Sequence, residues 1–250
     1  MNNLLEFKNV SLNYYTITDE IIALKNLSFA CTQGEFTSII GPSGCGKTTI
    51  LSLIAGLIKP TSGIINFDGK NNQTNLNLGY MLQKDQLFPW RTIEKNVYLP
   101  LEIKHINTLE NKKFALELLE KYGLKDFKKK YPNQLSGGMR QRVALIRTLV
   151  AKPKLLLLDE PFSALDSQTR LSVCDDVYKI LKNEKKTAIL VTHDISEAIS
   201  MSDKIIVLTD RPASVKTIIR PKLDGETPLK RRENKDFSLY FEKILKELHL

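Results

Sequence analysis

The stretch GPSGCGKTTI occupies residues 41–50. Three glycines, a proline and a serine run into a lysine and two threonines. An apolar run, residues 36–40, stands before it, and a helix-like stretch, residues 50–57, follows. A bend between strand and helix whose backbone N–H groups converge can cradle phosphate oxygens. The helix that starts there adds free N–H groups and the positive end of its dipole. Gly41, Gly44 and Gly46 permit backbone shapes that a Cβ would obstruct. Lys47 places a cation by the β- and γ-phosphates, and Thr48 offers a hydroxyl to Mg²⁺. The spacing of Gly41, Gly46, Lys47 and Thr48 is that of a phosphate-binding loop. Kinases, GTPases and ATPases all use such a loop, so it leaves the reaction open. Cys45 lies inside it, near Lys47 and a helix start, a setting that can lower a thiol's pKa.

The 250-residue length admits one large domain or two small ones, and 42% hydrophobic residues are enough for a buried core. No apolar run approaches the roughly 18 residues of a membrane span. The opening MNNLLEFKNV has no basic start and no long apolar stretch, so it does not read as a secretory signal. Cys31, Cys45 and Cys174 form no close-spaced pair and read as reduced thiols. The net charge of +9 suits nucleic acid, nucleotide or an anionic membrane surface. Much of it lies between Lys104 and Lys152, where the run Lys128-Lys129-Lys130 reads as a solvated face.

Two further stretches narrow the chemistry. Residues 155–158 are four leucines closed by Asp159-Glu160-Pro161. A continuous apolar run suits a strand buried on both faces, and an acidic pair at its C-terminal edge sits where open α/β sheets bind ligands. Asp159 can serve Mg²⁺, and Glu160 can take a proton from an attacking water or orient it. The stretch LSGGMRQRVALIRTL begins at Leu135. Ser136 is placed to cap a helix, Gly137 and Gly138 leave backbone N–H groups open, and Met139, Val143, Ile146 and Val150 form an apolar stripe. This is a second helix start suited to an anion, with no lysine or Mg²⁺ ligand of its own.

The rest reads coarsely. Residues from about 1 to 85 are short strands around the phosphate loop, with turns at DGKNNQ (68–73). Residues from about 86 to 150 are mostly helix, with a start near Thr108 and an end at Gly123. Residues from about 151 to 209 return to strand–helix alternation. After Arg211, Pro212, Pro221 and Pro228 break the chain into loops and turns, and residues 237–248 form a final amphipathic helix. The helical stretch is an insertion in an α/β core, and the chain is one domain over 1–250 with a C-terminal extension from about 211.

The motifs together resemble the ATP-binding subunits of ABC transporters over nearly the whole chain. GPSGCGKT (41–48) is similar to Walker A, LSGGM (135–139) to the family signature, and LLLLDEP (155–161) to Walker B with its glutamate. SALD (163–166) resembles the D-loop, His193 in VTHDISEA the switch histidine, and Gln83 in YMLQKDQLFPW the Q-loop glutamine. Tyr14 matches the aromatic position that stacks on adenine, with Tyr15 a close rival.

The resemblance implies a P-loop NTPase fold: a mixed sheet core, an antiparallel β part near the N-terminus and an inserted helical subdomain. It implies ATP and Mg²⁺. Gly41, Pro42, Ser43, Gly44, Cys45, Gly46, Lys47, Thr48 and Thr49 would wrap the phosphates. Thr48, Gln83 and Asp159 would serve Mg²⁺. Glu160 would be the general base, and His193 would contact the γ-phosphate. Two subunits would sandwich two ATPs head to tail, so that Ser136, Gly137 and Gly138 serve the partner's nucleotide.

LFPWRTIEKNV, LSGGMRQR and TDRPASV look like the nitrate/sulfonate/taurine importer group, which includes carriers of thiamine-precursor pyrimidines. That implies a peripheral subunit on the cytoplasmic face of the membrane, working as a homodimer with separate permease subunits and indirectly with a solute-binding protein, and with no nucleic acid. The alternatives are an exporter's motor or a soluble ABC ATPase acting on nucleic acid; the latter's relatives usually carry a long coiled coil or two ATP modules, and neither stands out here. Leu87, Phe88 and Trp90, just after Gln83, would line the groove that receives a permease helix, with Phe88 and Trp90 partly exposed.

Overall fold

The computed structural model describes residues 3–15, 18–70 and 76–248. In chain order its elements are β1 (Asn3–Tyr15), β2 (Glu20–Thr32), β3 (Phe36–Ile40), α1 (Lys47–Ile54), β4 (Ser62–Phe67), β5 (Leu78–Met81), α2 (Ile93–Ile103), α3 (Leu109–Lys121) and α4 (Gly137–Leu149). They continue as β6 (Leu155–Asp159), α5 (Ser167–Asn183), β7 (Thr187–Val191), α6 (Ile195–Met201), β8 (Lys204–Leu208), β9 (Val215–Ile219), α7 (Pro228–Arg232) and α8 (Phe237–Leu248). Two compact units emerge: Met1–Leu76 with Lys185–Leu250, and Asn77–Glu184. No helix among the described residues is long and apolar enough to cross a membrane.

In the first unit β1 pairs antiparallel with β2 on one side and β4 on the other. The two leading strands are long, not short as the sequence suggests. Phe7 and Val10 are three residues apart, so strict alternation would turn one of them outward. A register shift between them, with Asn9 at φ +49°, resets the alternation and keeps both buried. The Phe7 and Phe29 rings stack at 4.5 Å across this sheet. The turn over Asp68–Lys70 closes on a Phe67–Lys70 bridge, whereas the rest of DGKNNQ lies outside the described residues.

The same unit holds β3 between β7 and β8, all parallel and buried along their full length. β9 adds antiparallel to β8. The proline spacing predicts loops and turns here. VKTII is a β-branched run bounded by Pro212 and Pro221, and prolines outside a strand end it without breaking it. The final helix, α8, has the bounds its apolar spacing suggests, and packs Ile244, Phe237, Phe241 and Leu245 on Ile40, Ile199, Val207 and Ile219. Just before β3, Glu35 accepts from Lys204 Nζ at 2.5 Å and Arg220 Nη1 at 2.6 Å.

In the second unit β5 and β6 pair parallel, and Leu155–Asp159 is buried throughout. Thr108 caps α3 and Gly123, at φ +73°, ends it. Ser136 caps α4, accepting from Met139 N. A Cβ on Gly138 would lie 2.8 Å from Val173 Cγ2, so a glycine at this point lets α4 approach α5 closely.

Candidate functional site

Strand β3 ends at Ile40 and the phosphate loop begins there. Gly41 passes so close to β8 that a Cβ would lie 3.0 Å from both Leu208 Cβ and Cys45 Sγ. Gly44 and Gly46 take φ +74° and +121°, which suit glycine. Helix α1 has no side-chain cap and no acidic residue in its first turn, so side chains do not compete for its terminal N–H groups. Lys47 is buried, and its Nζ donates to Gly41 O and Pro42 O at 2.8 Å each, folding the ammonium back over the loop. Pro42 and Thr49 are half-buried, and Ser43, Gly44 and Thr48 are exposed. Arg211, which sequence reasoning left without a role, donates from Nη2 to Gly44 O at 3.1 Å.

The Tyr14 hydroxyl lies 3.4 Å from Thr49 Oγ1, whereas Tyr15, its neighbour on β1, is 69% exposed. Successive residues of a strand face opposite sides, so one of the two rivals is brought to α1. His193 is exposed at the end of β7, in a turn tied down on both flanks. Buried Thr192 donates to Glu197 Oε2 at 2.7 Å and accepts from Asp194 N at 3.0 Å, while Asp194 Oδ1 accepts from Glu197 N at 3.0 Å.

Cys45 departs from expectation. Burial pushes its thiol above the usual range despite Lys47 nearby, and only 1% of the residue is exposed. The short distance to Lys47 was legible in the sequence; the cost of burying a thiolate here was not.

In the second unit Asp159 is buried at the end of β6. Tyr80 donates to Asp159 Oδ2 at 3.4 Å, and burial together with that carboxylate pushes the phenol pKa up, so Tyr80 stays a donor. Glu160 follows at φ +45°, an uncommon backbone for a residue other than glycine. Ser163 Oγ donates to Glu160 O at 2.9 Å and lies 3.2 Å from Gln83 Nε2, which donates to it. The unit thus gathers Gln83, Ser163 and Glu160, and adds Tyr80 beside Asp159. Ser136 is exposed at the start of α4, Gly137 half-buried and Gly138 buried. Leu87 is buried, Phe88 half-buried, and Trp90 is 72% exposed and stacks on Phe88 at 5.0 Å.

A model of the ABC transporter family matches residues 24–163, the span from β2 through the Walker B region to Ser163. The chain belongs to the ABC transporter ATP-binding family. It is 50% identical over 248 residues to the ABC transporter ATP-binding protein YtlC of Bacillus subtilis (strain 168), covering 98% of this chain and 95% of that one. It is 37% identical over 245 residues to an aliphatic sulfonates import ATP-binding protein, SsuB, of Bacillus cereus, covering 97% and 95%. Among solved structures, a dimeric post-hydrolysis state of the ATP-binding cassette MJ0796, bound to ADP and Pi, superimposes with TM-score 0.74 at 35% identity, covering 87% of this chain and 99% of that one. The chain is therefore an ABC-type ATPase on a P-loop NTPase fold, with relatives among importer subunits.

Proposed function

We propose that this ABC ATPase is the motor of an importer of the nitrate/sulfonate/taurine type, working as a head-to-tail dimer beneath separate permease subunits at the cytoplasmic face of the membrane. The observation that carries the ATP reading is the uncapped start of α1 behind a glycine bend that buries Lys47. An orphan set of N–H groups beside a buried cation suits an anion such as a polyphosphate. The importer reading rests on a full-length relative named for sulfonate import and on the residues after Gln83. We take residues 1–250 as one ABC domain, with the helical stretch inserted.

The roles follow from the residues in hand. Tyr14 stacks on adenine, and its reach to Thr49 favours it over Tyr15. Residues 41–49 hold the phosphates, with Arg211 fixing the Gly44 carbonyl. Thr48, Gln83 and Asp159 offer hydroxyl, amide and carboxylate oxygens, hard donors that fit Mg²⁺; when bound, the ion neutralises phosphate charge. Tyr80, protonated, keeps the Asp159 carboxylate oriented. Glu160 takes the proton of the attacking water, and Ser163 fixes both its backbone and Gln83. His193 orients that water toward the γ-phosphate on a turn that Thr192 and Glu197 hold. Ser136, Gly137 and Gly138 cap the partner's nucleotide.

A positioned general base contributes about 10²–10⁴-fold. Glu160→Gln is expected to bind ATP with normal affinity and to turn over slower by that factor. Mixing Lys47→Ala with Ser136→Arg chains is expected to restore one complete site per heterodimer and part of the activity. Normal turnover by Glu160→Gln, or no recovery in verified heterodimers, overturns this reading. For permease contact the informative position is Phe88, half-buried and stacked on exposed Trp90, whereas Leu87 is core. Phe88→Glu is expected to reduce co-purification with the permease while ATP affinity stays unchanged.

A further inference from the structure

Residues 84–91 follow Gln83 directly, and the second unit grips them from two helices. On one side stands Asn96 of α2, fully buried. Its Oδ1 accepts from Phe88 N at 2.7 Å, and its Nδ2 donates to the Phe88, Arg91 and Thr92 carbonyls at 3.0–3.1 Å. On the other side stand two arginines of α4. Arg140 Nε meets Asp85 Oδ2 at 3.0 Å, and its Nη1 donates to Leu135 O at 2.8 Å. Arg147 Nη1 donates to Gln86 O and Nη2 to Asp85 O, each at 2.7 Å. Asp85 Oδ1 also accepts from Leu87 N at 3.1 Å, and Gln86 sits at φ +49°, so the backbone here has one well-defined shape.

The two arginines are seven residues apart, about two helical turns, and so lie on one face of α4. Arg140 has a double grip. One nitrogen holds the loop after Gln83, and another holds the carbonyl of Leu135, the residue before Ser136. A guanidinium is a rigid planar fork, so these two partners keep a fixed separation.

We propose that Asp85, Arg140 and Arg147 form a latch that makes residues 84–91 and the Ser136–Gly138 turn move as one piece. A displacement at Gln83 is then passed to the helix start that caps the partner's nucleotide. The inference rests on the head-to-tail reading above. The three are positioning residues, since none touches nucleotide in that reading. The Asp85–Arg140 pair is part-exposed, with side chains 26% and 36% accessible, and such pairs add little to folding stability. Breaking it is therefore expected to leave a folded chain, and a lost coupling is then visible on its own.

The test uses the full chain in a Glu160→Gln background, where ATP-driven dimers accumulate. Asp85→Asn, Arg140→Gln and the double variant are compared for ATP affinity as monomers, for melting temperature and for the ATP concentration that half-dimerises them in sedimentation. ATP affinity is expected to stay within about twofold of the parent. Half-dimerisation is expected to need about three- to fivefold more ATP, the upper end of what one part-exposed ion pair supplies. The double variant is expected to be no worse than either single, and the exchange Asp85→Arg with Arg140→Asp to recover part of the loss. If Arg140→Gln fails to fold, Arg140→Lys replaces it, keeping the charge and losing the fork. Dimerisation within twofold of the parent in both singles, or losses that multiply in the double, overturns the latch alone. A Glu160→Gln chain that does not dimerise with ATP overturns the head-to-tail reading and the latch with it.

Discussion

Gly137→Ala and Gly138→Ala, adjacent changes of one methyl each, are expected to part company. At Gly138 the added Cβ would stand 2.8 Å from Val173 Cγ2 and 3.3 Å from Thr169 Cγ2, both on α5. Val and Thr are stiff at χ1, so neither methyl swings away and the helices must separate. Overpacking of this kind costs about 1–3 kcal/mol. Alanine returns up to about 1 kcal/mol of helix propensity, less at a helix start than inside one. The net is a loss of about 1–2 kcal/mol, or about 2–8 °C in melting temperature for a chain of this size. At Gly137 the nearest atom is Leu165 Cδ2 at 3.2 Å, the far end of a flexible side chain, so stability is expected to stay within about 0.5 kcal/mol of the parent. Both variants are expected to lose ATPase activity if the turn caps a nucleotide. Thermal unfolding with steady-state turnover on each purified variant checks this. A Gly138→Ala chain that melts like the parent refutes the packing argument. A Gly137→Ala chain with full stability and full turnover refutes the role of the turn.

Cys45 is expected to react slowly with thiol reagents near neutral pH whether or not ATP is present; rapid labelling by mass spectrometry, blocked by ATP, would restore the idea of an activated thiol. Glu35 is pulled up by burial, but its bonds to Lys204, Thr32 N and Arg220 hold it below the ordinary 4.5. It therefore binds fewer protons folded than unfolded, and its contribution, complete above 4.5, is lost as pH falls through the folded value. The parent is expected to lose stability more steeply than Glu35→Gln below pH 4.5 in denaturant titrations, and equal slopes would remove this assignment. Arg211→Ala frees the Gly44 carbonyl and is expected to weaken ATP binding a few-fold, about 1 kcal/mol for one hydrogen bond from a charged donor, with melting little changed; unaltered affinity in a fluorescent-nucleotide titration would show that the contact is incidental.

The sequence announced what short spacing can encode. Gly41, Gly46, Lys47 and Thr48 lie within eight residues, and their order alone implies a strand, a bend and a helix. The leucine run before Asp159 reads as a buried strand for the same reason. Contacts between distant positions were not legible. Tyr80 meets Asp159 across 79 positions and Gln83 meets Ser163 across 80. That Tyr14 and not its neighbour Tyr15 is brought to Thr49 depends on which face of β1 meets α1, 35 residues away. Asp85 and Arg140 are 55 apart, and each alone looks like an ordinary surface charge. Cys45 failed in the opposite sense, because its neighbours were visible while its burial depended on Gly41 and β8. The residues of β9 hid behind flanking prolines that punctuate a sequence strongly and a fold only at its margins.

On the proposed role of Glu160 as the base, its left-handed backbone sets stability and turnover against each other at a single codon. Such a conformation costs a residue with a Cβ about 1–2 kcal/mol, which glycine escapes and asparagine largely escapes. A library of variants sorted only for heat resistance would therefore drift toward glycine or asparagine at 160, and on that role the hardiest chains it returned would be those least able to hydrolyse ATP.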